Sequence, residues 1–104
     1  MKNYTTTVNE VFDSLIQSIG IYVTLLVTER ALWLTKHKYE EASLIIFSES
    51  GIDLDQLNAL DPERSKLISL SFITNITATL SHLVGKQLAY QLTEELQEFF
   101  REGV

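Results

Sequence analysis

"TTVNEVFDSLIQSIGIYVTLLVTERALWLT", residues 6–35, decides the fold. At about 100° per residue, Val8, Phe12, Leu15, Ile19, Tyr22, Val23, Leu26 and Trp33 fall on one side of a helix. The stripe holds its direction through Gly20. The spacing therefore predicts one first helix over residues 6–35, about 45 Å long if straight. Gly20 in its interior is a kink site, at a cost of about 1 kcal/mol. Ile21, Leu25, Val27, Leu32 and Leu34 make the second half apolar nearly all round. Such a helix has to be covered on more than one side, as the centre of a bundle or as half of a dimer.

Working outward, Thr35, Lys36, His37 and Lys38 form a polar break, with positive charge where a helix C-terminus favours it. A second helix over 38–50 is expected, with Tyr39, Ala42, Ile45 and Ile46 inward and Gly51 as its C′ stop. A short helical turn near 53–60 follows, with Asp53 or Asp55 as its cap. Asp61-Pro62-Glu63 is the clearest start signal in the chain: a capping Asp, Pro at the first helical position, then acid in the first turn. The third helix is placed at 62–84.

Ile73, Ile76, Leu80, Leu83 and Val84 define its inner stripe, but Leu88, Leu92, Leu96 and Phe99 define another, rotated by about 120°. A straight helix cannot aim both stripes at one neighbour, so a break or kink at Gly85 separates the third helix from a fourth over 86–101. The β-branched run Ile73, Thr74, Ile76, Thr77, Thr79 argues for a strand, yet no alternating partner segment is found. Neither an internal repeat nor a low-complexity tract is visible. The expectation is a single all-α domain over 1–104, a bundle of four main helices.

The bulk numbers narrow the function. A chain that is 45% hydrophobic and 21% charged is globular rather than disordered. A net charge of −6 and scattered Lys and Arg disfavour DNA or RNA as partner. With no cysteine, thiol chemistry and Cys-based metal sites drop out, and a reducing cytoplasm is the expected setting. The opening MKNYTTTVNEVFDSL has no signal-peptide pattern. The run "IGIYVTLLVTERALWL" at 19–34 is cut by Glu29 and Arg30 and falls short of the roughly 20 residues that span a bilayer, so no membrane partner is expected.

His82 comes first among candidate residues. It points away from the stripe of the third helix, in line with Arg64, Ser71, Asn75 and Lys86. An exposed imidazole can accept a phosphoryl group, Lys86 one turn on can steady its charge, and Gly85 clears room. The segment is similar to histidine phosphotransfer domains, whose helices carry His with Lys and Gly three and four positions later. Here the order is Gly85 then Lys86, and Gln87 and Leu88 stand where small residues are expected. "LSHLV" also resembles the histidine box of sensor kinases, without its acidic residue and proline. The resemblance spans about five residues and implies phosphate passing from His82 to a receiver aspartate. The plain alternative is a surface His beside a surface Lys.

Arg30 falls inside the stripe of the first helix, between Leu26 and Trp33, where a bare charge is costly. It is expected to be paired, with Glu29 or a carboxylate of another helix or subunit, or to lay its stem on apolar surface with its head in water, or else to form a recessed anion site. A small-ligand pocket near Arg30 and Trp33 is a further reading. His37 and His82 lie too far apart in sequence to read as a metal pair. Glu40-Glu41 and Glu94-Glu95 read as solvated faces, and no phosphate loop or nucleophile elbow is present. No metal, cofactor or enzymatic activity is expected. Leu96, Phe99 and Phe100 spread too widely for one short helix to bury, which marks them, with Leu26 and Trp33, as interaction surface. The expected role is a regulatory interaction module, homodimeric and open to another signalling protein.

Overall fold

The computed structural model describes residues 4–94. Along these the chain forms α1 (Tyr4–Ile19), α2 (Ile21–Lys38), a 3-10 turn (Glu40–Leu44), β1 (Ile46–Ser48), β2 (Gly51–Asp53), a second 3-10 turn (Asp55–Ala59), α3 (Pro62–Val84) and α4 (Lys86–Leu92). The fold is all-α, four helices with one small hairpin among the described residues. α2 packs chiefly on α3, α4 on α3, and α1 on α2 and β2. Val8, Phe12 and Leu15 of α1, Val27 and Ala31 of α2, Ile52 and Leu57 of the connection, and Ile68, Phe72 and Leu80 of α3 join in one buried cluster.

The single helix expected over 6–35 is two helices. Gly20 sits at φ 88°, ψ 160°, a conformation essentially restricted to glycine, so the chain changes direction there. Val8, Phe12 and Leu15 are buried as the first stripe predicts, and Val11, outside that stripe, is buried with them. Past Gly20 the buried set becomes Thr24, Val27, Thr28, Ala31, Leu32 and Thr35, half a helical turn away from the continuation Tyr22, Leu26, Trp33. The glycine inverts which side of the sequence pattern faces inward.

Thr24, Thr28 and Thr35 are buried without polar cost, because each hydroxyl donates to the carbonyl four residues back: Gly20 at 2.8 Å, Thr24 at 2.8 Å and Ala31 at 2.7 Å. Asn75 of α3 in turn donates to Thr35 Oγ1 at 3.0 Å. Among the described residues no buried side-chain polar atom lacks a partner. The small methyl-bearing face suits close approach to α3, whose Ser69 is also buried.

The break expected at Gly85 is present, with φ 91°, ψ 156°, but the residue it turns inward on α4 is Ala89 and not the stripe residue Leu88. It repeats the Gly20 junction: each glycine N–H donates to the carbonyl four residues back (2.9 Å to Ile16, 3.0 Å to Ser81), and each glycine carbonyl accepts from the N–H four residues on (3.2 Å from Thr24, 3.1 Å from Ala89). The buried residues Val8, Val11, Leu15 and Thr28 recur as Ile73, Ile76, Leu80 and Thr93 at the same distances from their glycines. A helix–glycine–helix unit is thus used twice, a repeat that so few identical residues do not reveal by eye. The inward residue of α4 is Ala89, followed by the buried Thr93 just past its end, while Leu88 is exposed, as is Leu83 at the end of α3. The expected fourth helix is described as far as Leu92, and Leu96, Phe99 and Phe100 lie outside the described residues.

The second helix expected over 38–50 is not formed. A 3-10 turn buries Ala42, and the chain then alternates inside and out: Ile45 buried, Ile46 exposed, Ile52 and Leu54 buried. β1 and β2 pair antiparallel with Phe47 opposite Ile52, and Gly51, expected to end a helix, opens β2. Asn9 of α1 holds this hairpin by donating to Ile52 O at 2.6 Å and accepting from Ile52 N at 2.9 Å, as a neighbouring strand would. The turn at 55–59 and the start of α3 follow expectation, with Asp53 accepting from Asp55 N and Asp61 accepting from Arg64 N.

Candidate interaction surface

A straight helix with one face on α3 presents the opposite face to solvent. On α2 that face carries Tyr22, Leu26, Glu29, Arg30, Trp33 and His37, spaced so that they line up along about 22 Å. Tyr22 is 82% exposed, Leu26 63% and Trp33 49%. The other large apolar side chains left exposed among the described residues, Ile46, Leu67, Leu83, Leu88 and Tyr90, are spread over three elements. Scattered exposure of that kind is ordinary, whereas three large apolar groups on one helical stripe form a patch.

The stripe is internally ordered. The Arg30 guanidinium lies 4.6 Å from the Trp33 ring centroid, and the Trp33 and His37 rings stand 3.9 Å apart. His37 Nδ1 donates to the Trp33 carbonyl at 3.1 Å, which holds its ring beside the indole. Arg30 is therefore not a buried charge in search of a carboxylate, as its place between Leu26 and Trp33 suggested. It is exposed and rests on an aromatic face, worth about 0.5–1 kcal/mol at such a site. Glu29 is exposed beside it, and neighbours in sequence on a helix do not face each other.

His82 is exposed near the end of α3. Lys86 is not one turn on along the same helix, because Gly85 ends α3 and Lys86 begins α4. Two open depressions occur elsewhere, one lined by Asn9, Ser48, Ser50, Gly51 and Asp53, the other by Asn58, Leu60, Pro62, Ser65 and Lys66. Neither includes Arg30, Trp33 or His82. Among the described residues no group of three His, Asp or Glu side chains is placed to hold a metal ion. By length and composition α3 is long and apolar enough to cross a membrane, a property that the core helix of a soluble protein shares.

The ion pair between Arg64 and Glu41 is well formed. Arg64 Nε and Nη2 donate to the Glu41 carboxylate at 2.6 and 3.0 Å, and the guanidinium also lies 4.8 Å from the Tyr39 ring. This ties the 3-10 turn after α2 to the first turn of α3. The Arg64 hydrogen bonds hold the Glu41 carboxyl at about 2, well below its usual 4.5. The folded state thus takes up this proton later than the unfolded chain does, and the pair's contribution, full above pH 4.5, is lost as pH falls toward 2. Both groups are partly exposed, so the pair is screened by solvent. In urea titrations at pH 5 and pH 2, Glu41→Gln is expected to lose less stability between the two than the wild type does.

No protein-family model matches this chain, and no curated protein or solved structure is significantly similar to it, so its function has to be argued from the residues themselves.

Proposed function

We propose that this chain is a non-enzymatic helical regulatory module that works by binding protein through the outer face of α2, with a second copy of itself as its first partner. The supporting observation is the exposure of Tyr22, Leu26 and Trp33 on one stripe, directly opposite the threonine face that α2 buries against α3. An aromatic and aliphatic stripe edged by an acid and a base has the composition of a small protein-binding face. A single helix offers less than the roughly 800 Å² per partner of a standard interface, so the association is expected to be of micromolar strength and reversible.

Sedimentation from micromolar to millimolar concentration tests this. The wild type should pass from monomer to dimer. Leu26→Glu should remain a monomer with unchanged helical signal and unfolding midpoint, because Leu26 is mostly exposed and packs little within its own chain. A wild type that stays monomeric throughout, or a Leu26→Glu variant that associates as before, overturns the proposal.

A further inference from the structure

We propose that two copies join α2 to α2 in parallel and in register, about a twofold axis running along the helices. This rests on the interaction role assigned to the outer face of α2. At about 100° per residue, the midline of the exposed stripe passes within about 10° of Leu26 and Trp33, while Glu29 and Arg30 lie about 50° to either side of it. The acid and the base therefore occupy opposite shoulders of one ridge, at nearly the same height. Arg30 is held on its shoulder by Trp33 at 4.6 Å.

Handedness of the pairing follows from these shoulders. When two helices meet in parallel about a twofold along their length, the left shoulder of each faces the right shoulder of the other. Glu29 then meets the partner's Arg30, and Arg30 meets the partner's Glu29, so opposite charges are matched on both flanks. When two helices meet antiparallel with the same midline, like shoulders face, and Glu29 is set against the partner's Glu29 and Arg30 against the partner's Arg30. Like charges juxtaposed at an interface disfavour that arrangement. The midline residues agree with the parallel form, because Tyr22, Leu26 and Trp33 each meet their own kind in successive layers, aromatic on aromatic and leucine on leucine. The partner is thus a second copy of this chain, and the shoulder charges set its direction.

Charge reversal separates the arrangements. Glu29→Lys and Arg30→Glu, each alone, replace two attractive contacts by two repulsive ones and should weaken dimerisation by about tenfold or more in sedimentation. The double variant restores opposite charges across both flanks and should dimerise within about threefold of the wild type. It should also fail to mix with the wild type. The chain has no cysteine, so a single Tyr22→Cys gives a second measurement. Parallel pairing brings the two introduced thiols together and a disulfide-linked dimer should form readily on oxidation. Antiparallel pairing about the same midpoint separates them by about 22 Å along the helix, beyond the 4.4–6.8 Å Cα separation usual for a disulfide. Single reversals without effect, no rescue by the double variant, or Tyr22→Cys linking no faster than a cysteine at Glu40 overturn the parallel pairing. If Leu26→Glu still abolishes association in that event, the interaction role survives and only its geometry falls. If Leu26→Glu has no effect, the interaction role itself fails.

Discussion

Phe72→Ala is expected to destabilise the chain by about 3–5 kcal/mol, the largest effect of any single truncation considered for this fold. Phe72 is fully buried in α3, in the same cluster as Phe12 and Leu15 of α1, Val27 and Ala31 of α2, and Leu57 of the connection between hairpin and α3. Removing its ring takes away transfer free energy and leaves a cavity whose walls belong to a long helix and cannot close fully. For a domain of this size, whose whole stability is about 5–15 kcal/mol, that is a large fraction. Urea unfolding followed by far-UV circular dichroism measures it: the midpoint should fall steeply. A loss below about 1 kcal/mol would mean that the ring does not sit at the centre of the core.

Gly20→Ala and Gly85→Ala are expected to cost about 1–3 kcal/mol each, for a different reason. A Cβ built at either glycine meets nothing within 4 Å, so no collision is involved. The cost is the backbone conformation itself, φ 88° at Gly20 and φ 91° at Gly85, which an L residue adopts only under strain. Relaxing that strain would carry the helix straight on. At Gly20 this would turn Thr24, Thr28 and Thr35 out and bring Tyr22, Leu26 and Trp33 round toward the side of Val8 and Leu15. Gly20→Ala should therefore also change the fluorescence of Trp33, the only tryptophan, whereas Gly85→Ala should destabilise with little change in that signal. Unfolding midpoints unmoved in both variants would show that neither junction needs a glycine.

The Gly20 junction also connects fold to function. Had α1 run on without a break, the stripe of large apolar residues would lie inside, and the face left to solvent would be threonine and alanine. The break puts small hydroxylated residues against α3 and the aromatic stripe against whatever binds from outside. Small groups at the helix–helix contact and large ones at the surface are the reverse of what hydropathy alone suggests.

The sequence by itself determined the all-α class, the start of α3 at Asp61-Pro62, the turn at 55–59 and the break at Gly85. Each rests on local physics: a cap, a ring that fixes φ and a residue free of Cβ. It also singled out Leu26, Trp33, Glu29 and Arg30. Only the tertiary structure decided which way those residues face. Their helix is apolar nearly all round, so the period locates a helix without its phase. Threonine hydroxyls that bond to their own carbonyls four residues back become as buriable as apolar groups, which no hydropathy count registers. The hairpin over 46–53 was likewise a tertiary decision, though its alternation from Ile45 to Leu54 was there to be read. Strands of three residues gain too little from their own pairing, and here the amide of Asn9, 43 residues away, completes the edge.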